Sequence, residues 1–144
     1  MTNIKKYTME NYNYKLSKEY QEKYNHKTGD CYSNAFDLMC KLGVDEYYIG
    51  YVVHKNKKAI RHGFLIIDNE IIDSTPQNPY LLHTIDYFIP CFKVEFTDMG
   101  EILEKHPYTS IVGFKKDEEI EIIKYLQENE IFIRDTEVVA ELLK

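Results

Sequence analysis

Residues 61–76 read Arg-His-Gly-Phe-Leu-Ile-Ile-Asp-Asn-Glu-Ile-Ile-Asp-Ser-Thr-Pro. The stretch contains two β-rich runs, Gly63–Ile67 and Glu70–Asp73, separated by Asp68-Asn69. Asp and Asn tolerate the positive φ angles that a two-residue hairpin turn requires. The stretch therefore predicts an antiparallel hairpin, and an antiparallel sheet is the expected core.

The length of this turn fixes which side chains share a face of the hairpin. If the turn has two residues, Ile67 pairs with Glu70, and His62 pairs with Thr75. His62 and Asp73 then lie diagonally on one face, where a contact between them is natural. A slip by one residue would place the two side chains on opposite faces.

The rest of the chain divides by the period of its apolar residues. Spacings of three and four predict helices, whereas short runs rich in β-branched and aromatic residues predict strands. Helices are predicted at about Glu10–Tyr24, Cys31–Lys41, Met99–Lys105, Asp117–Gln127 and Thr136–Leu143. Further strands are predicted at Tyr47–His54 and Asp86–Phe96, the second with an edge or a bulge at Pro90.

A cysteine opens the second predicted helix, in the sequence Gly29-Asp30-Cys31. Asp30 is expected to cap this helix, and Gly43 to end it. In the first helical turn, the macrodipole and the unpaired backbone N–H groups favour a thiolate over a thiol. Cys31, His62 and Asp73 follow one another in the order that thiol catalysis needs for nucleophile, base and orienting acid.

Six short motifs stand in a fixed order around these three residues. They are Gly29-Asp30-Cys31, Ala35-Phe36, Leu42-Gly43-Val44, Gly50-Tyr51, His62-x-Phe64 and Asp73-Ser74-Thr75-Pro76. Together they resemble the transglutaminase-like core of the papain-like cysteine-enzyme superfamily, over about Gly29 to Pro76. The chain departs from the family pattern at Asp30, Tyr32, Phe64 and Ser74, where the family favours Gln, Trp, Trp and Pro.

This resemblance implies an α+β, papain-like fold in which the Cys31 helix packs on an antiparallel sheet bearing His62 and Asp73, with extra helices at both ends. It implies a cysteine-dependent amide hydrolase or acyl transferase that acts on a protein or peptide. Cys31 would be the nucleophile, His62 the base and then the acid, and Asp73 the group that orients the imidazole. Asn25 and Tyr32 would serve the oxyanion or the substrate. The departures leave a second hypothesis open, a non-catalytic binding module that retains the fold.

Length and charge narrow the remaining possibilities. The 144 residues fit one domain, and a net charge of -6 disfavours nucleic acid as a partner. The lack of a long apolar run or signal sequence predicts a cytoplasmic protein without a membrane partner. The spacing of the cysteines and histidines predicts free thiols, no metal and no cofactor. Cys40, about 180° around the helix from Cys31, is expected to pack inside.

Overall fold

The computed structural model describes residues 4–76, 82–95 and 116–134. These residues form an α+β structure with three helices and a mixed sheet of six strands. The helices are α1 (Tyr14–Tyr24), α2 (Cys31–Leu42) and α3 (Lys116–Glu128). The strands are β1 (Tyr7–Thr8), β2 (Glu46–His54), β3 (Lys58–Ile67), β4 (Glu70–Ile72), β5 (Ile85–Glu95) and β6 (Phe132–Ile133).

The sheet is antiparallel along its main path and parallel at one point. The strand order is β1-β5-β2-β3-β4, and each neighbouring pair is antiparallel. The short strand β6 pairs in parallel with the start of β3. The expectation of an antiparallel sheet is confirmed for the main path, and β6 makes the whole sheet mixed.

The β3–β4 hairpin has the predicted register, with Ile67 opposite Glu70. Asp68 and Asn69 adopt φ angles of 52° and 65°, the left-handed values that a two-residue turn demands. Strand β4 ends at Ile72, so Asp73 lies one residue beyond the sheet and not on it as expected.

Helices α2 and α3 cover the same face of the sheet. Alternate residues of a strand point to one side, so the strand residues that each helix contacts identify this face. Tyr47 and Ile49 of β2 join the buried cluster that contains the inner face of α2. Tyr51 and Val53, further along the same strand, join the cluster that contains the inner face of α3. The opposite face carries a third cluster, which includes Phe64 and Phe88.

Several boundaries differ from the expectations for physical reasons. Helix α1 begins at Tyr14, not near Glu10, because the Asn13 side chain accepts a hydrogen bond from the Leu16 N–H at 2.9 Å and so caps the helix there. A 3-10 turn at Met9–Asn11 precedes it.

Of the expectations about α2, that for Asp30 is confirmed in position only, and that for Cys40 was wrong. Asp30 occupies the N-cap position, but its side chain makes no capping hydrogen bond. Cys40 is exposed, because Cys31 itself turns toward the sheet and the opposite side of the helix faces solvent. The stop at Gly43 is confirmed by its left-handed φ of 67°.

The bulge expected at Pro90 is confirmed. Ile49 lies opposite Phe92 and Gly50 opposite Pro90, so Cys91 is the extra residue in β5. The predicted helices at Met99–Lys105 and Thr136–Leu143 fall outside the described residues.

Candidate active site

His62 and Asp73 form a buried hydrogen-bonded pair. The His62 Nε2 atom lies 2.7 Å from Asp73 Oδ2. His62 is held by the centre of β3, and Asp73 by the backbone just after β4, so the two-residue turn between these strands brings them together. The contact expected from the hairpin register is confirmed.

The Cys31 thiol lies near enough to the same imidazole to influence its pKa, both electrostatically and as a hydrogen-bonding group. Because Asp73 takes Nε2, the ring nitrogen that remains for the thiol is Nδ1. Burial lowers the pKa of His62, but the charge of Asp73 and the hydrogen bonds to Asp73 and Cys31 outweigh it, so this pKa stands well above its usual value. The imidazole is thus biased toward the imidazolium that a thiolate needs as its partner.

Gly63 allows the start of α2 to approach β3 beside His62. A Cβ atom at this position would lie 3.0 Å from Tyr32 Cδ1 and 3.3 Å from the Cys31 carbonyl oxygen. Any larger residue would push these atoms away. A side chain at position 63 would therefore crowd Tyr32 and the backbone at the start of α2, which favours glycine there.

Backbone and side-chain hydrogen bonds fix the Asp73 carboxylate. The Thr75 N–H donates to Asp73 Oδ1 at 3.1 Å, and the Asp73 N–H donates to Ser17 Oγ of α1 at 3.0 Å. One carboxylate oxygen thus faces the backbone while the other faces His62. This arrangement orients the carboxylate without competing for its contact with the imidazole.

A second histidine joins the Asp73 loop to the Cys31 helix. His26 Nδ1 lies 2.7 Å from Ser74 Oγ, and its Nε2 lies 2.8 Å from Asp37 Oδ2 on α2. Ser74 is 2% exposed, so the Ser-His-Asp arrangement serves as a link and offers no accessible nucleophile. Asn34 of α2 adds a parallel tie, because its amide donates to Thr75 Oγ1 at 3.1 Å.

Sequence reasoning missed the His26 bridge. His26 lies in the polar stretch between the two helices, and no periodic pattern connects it with Ser74, which is 48 residues away. The one available signal in the sequence was the polar side chain of Ser74.

A buried ion pair lies on the other side of β3. Arg61, the residue before His62, donates from Nη2 to Glu119 Oε1 at 2.7 Å and from Nε to Oε2 at 2.8 Å. The guanidinium carbon lies 5.9 Å from the centre of the Tyr32 ring, next to Cys31. Helix α3 is thereby connected to the neighbourhood of the thiol.

Tyr47 is a further neighbour of Cys31. Burial, and then the electrostatic influence of the nearby Cys31 side chain, raise the pKa of Tyr47 above its ordinary value. The phenol therefore stays protonated near the sulfur. In the sequence, Tyr47 reads as an ordinary alternating core residue of β2, and it gave no functional signal.

The other two predicted site residues lie at the margins. Tyr32 packs against Gly63 and beside Arg61, so it forms a wall next to Cys31. Asn25 is exposed at the left-handed end of α1, and its side-chain oxygen accepts a hydrogen bond from Lys27 Nζ at 3.0 Å. That Asn25 and Tyr32 stabilise an oxyanion or bind a substrate stays a prediction.

Among residues 4–76, 82–95 and 116–134, no set of three or more His, Cys, Asp or Glu side chains is arranged to hold a metal ion. In the same ranges, none of the helices has the length and apolar character needed to cross a membrane. No family model, curated protein or solved structure matches the chain.

Proposed function

We propose that the protein is a cysteine-dependent amide hydrolase or acyl transferase with a papain-like, transglutaminase-like fold. One arrangement carries the proposal: the His62 imidazole is hydrogen-bonded to the buried Asp73 carboxylate through Nε2, and the Cys31 thiol at the start of α2 interacts with the same ring. This arrangement has the elements of an activated nucleophile, a base and an orienting acid. The helix start at Cys31 and the glycine at position 63 support it further.

The reaction follows from these contacts. His62 takes the Cys31 proton, and the thiolate attacks the carbonyl carbon of an amide on a protein or peptide. The Cys31 backbone N–H at the start of α2 stabilises the developing oxyanion. The C–N bond then breaks as His62 gives its proton to the leaving amine, and a thioester remains on Cys31. Water or an amine attacks the thioester and loses a proton to His62, which returns the thiol.

The test is the rate at which iodoacetamide labels each cysteine, measured by mass spectrometry on the native protein at about pH 6, well below the ordinary thiol pKa of about 8.5. Cys31 should react faster than Cys40, because only Cys31 is paired with an imidazolium. The chain supplies its own references. Cys40 is an exposed thiol, whereas burial raises the pKa of Cys91 well above its usual value and should leave it unreactive.

The His62→Ala variant should reduce Cys31 labelling to the level of Cys40. His83→Ala is the matched control, because His83 is exposed and lies outside the site. A Cys31 that reacts no faster than Cys40 in the native protein would refute the proposal and favour the non-catalytic binding module.

A further inference from the structure

A cavity of about 370 Å³ opens beside the tip of the β2–β3 hairpin. Ile60 and Phe132 give it apolar walls, and Phe132 is 58% exposed although it is a large hydrophobic residue. Polar and cationic side chains complete the lining, namely His54, Asn56, Lys58, Thr84 and Arg134. Such a mixture of apolar surface and a few polar groups is typical of a ligand site.

The cavity lies along the same strand face as His62. Lys58, Ile60 and His62 alternate in β3 and therefore point to one side of the sheet. With a rise of about 3.3 Å per residue, Ile60 lies about 7 Å and Lys58 about 13 Å along the strand from His62. An extended peptide whose reactive amide lies at Cys31 spans this distance with about four residues.

The charge of this corner is opposite to that of the whole chain. The chain has a net charge of -6, but the hairpin tip carries Lys55, Lys57 and Lys58, and Arg134 lies across the cavity. Within the described ranges, neither Lys58 nor Arg134 makes an ion pair with a carboxylate. Their charges are therefore available to a ligand.

His54 is fixed in the wall as a neutral hydrogen-bonding group. Its Nδ1 lies 2.7 Å from Thr84 Oγ1, which sets the orientation of the ring. Burial lowers the pKa of His54 below its usual value, so the ring adds no cation at neutral pH. The attraction for an anion thus comes from the lysines and Arg134, while His54 contributes shape and a hydrogen-bonding nitrogen.

We propose that this cavity binds an acidic segment of the substrate, with an aliphatic side chain between Ile60 and Phe132 and carboxylates paired with Lys58 and Arg134. The inference rests on the proposed function, because it places the acidic residue about four positions from the reactive amide. It names the substrate class as an acidic, extended peptide.

The test measures peptide binding to the full chain carrying Cys31→Ser, so that turnover plays no part. The probe is fluorescein-labelled Gly-Glu-Leu-Glu-Gly, and its neutral counterpart is Gly-Gln-Leu-Gln-Gly, both followed by fluorescence anisotropy at low salt. The acidic peptide should bind at least about fivefold more tightly, which corresponds to about one exposed ion pair. The difference should shrink in about 0.5 M NaCl, because salt screens exposed charges.

Matched variants locate the binding. Lys58→Gln and Arg134→Gln should each weaken binding of the acidic peptide by about threefold to fivefold. Lys15→Gln, which removes one exposed charge from α1, should leave binding unchanged. Equal affinity for the two peptides, or an equal loss in Lys15→Gln, would overturn the inference.

The outcome is separable from that of the proposed function. If Cys31 of the native protein labels rapidly but the peptides bind equally, the acidic site is wrong and the catalytic proposal stands. If the acidic peptide binds as expected but Cys31 labels no faster than Cys40, the cavity is a binding site of a non-catalytic module.

Discussion

Arg61 and His62 are neighbours in β3, and each has a buried carboxylate partner, but they lie on opposite faces of the sheet. Arg61 is bound through two nitrogens to Glu119, which is 0% exposed. Tyr51 contributes a third hydrogen bond to this carboxylate, at 2.5 Å. His62 uses one nitrogen for Asp73 and leaves the other for Cys31.

The two pairs differ in whether the basic residue can exchange a proton near neutral pH. Burial lowers the pKa of Arg61, but the hydrogen bonds and charge of Glu119 raise it above its already high ordinary value, so this group never exchanges a proton near neutral pH. His62 can change its protonation state, and it lies beside the free thiol of Cys31. Two pairs of similar geometry thus differ in one respect: Arg61 keeps its proton near neutral pH, whereas His62 can gain or lose one.

The largest effect on stability is expected when the Arg61–Glu119 ion pair is broken. Glu119→Gln removes the charge of the carboxylate that binds the buried guanidinium of Arg61, and we expect the free energy of unfolding to fall by about 3–5 kcal/mol. Urea denaturation followed by circular dichroism measures it. Glu118→Gln is the control, because this neighbouring carboxylate is exposed and its loss should cost little. Equal losses in the two variants would contradict a structural role for the pair.

The second prediction concerns a variant that weakens the His62–Asp73 pair. Asp73→Asn removes the charge that raises the pKa of His62, so the imidazolium should lose its proton at lower pH. The pH profile of Cys31 labelling should then move to higher pH, toward that of Cys40. The native fold should lose about 1.5–3 kcal/mol, the cost of a hydrogen bond to a charged group. An unchanged labelling profile would show that Asp73 does not tune His62.

The same pair sets the pH dependence of stability. The pKa of His62 is higher in the folded chain than in the unfolded chain, so folding takes up a proton between the two values. This stabilisation is complete below the unfolded pKa of about 6.5 and is lost as pH rises through the folded pKa. Denaturation of native protein and Asp73→Asn across pH should therefore give curves that converge at alkaline pH.

The smallest effect concerns the His26 bridge. His26→Ala leaves Ser74 without its partner and should destabilise the fold by about 1–3 kcal/mol, as for other unsatisfied buried groups. Because the bridge connects the Asp73 loop with α2, labelling of Cys31 should also slow. His83→Ala again serves as the control. If His26→Ala is destabilised but Cys31 is labelled at the native rate, the His26 bridge stabilises the fold and has no effect on the reactivity of Cys31.

The sequence was most informative where the structural rule is local. A two-residue turn determines the register of its hairpin, so the contact between His62 and Asp73 followed from Asp68-Asn69 alone. The beginning of α2 at Cys31 and its end at Gly43 could likewise be predicted from the residues next to them. Cys40 was misassigned, because helical angle alone does not say which side of the helix faces the sheet.

Contacts between distant segments escaped prediction for a physical reason. In an amphipathic helix, an acidic residue such as Glu119 reads as solvent-exposed until a buried cation is known to face it. That cation, Arg61, is 58 residues earlier in the chain. His26 and Ser74 are likewise joined only by the tertiary fold, and side-chain hydrogen bonds of this kind have no period.

The Arg61–Glu119 pair also has a consequence for the order of synthesis. Cys31, His62 and Asp73 have all been made by the time the ribosome reaches Pro76, but the carboxylate for Arg61 arrives only with residue 119. Until then, the strand that carries His62 holds a cation that cannot be buried without a large penalty. We therefore expect the strand that carries His62 to reach its folded position beside Cys31 of α2 only after α3 has been made and can supply Glu119.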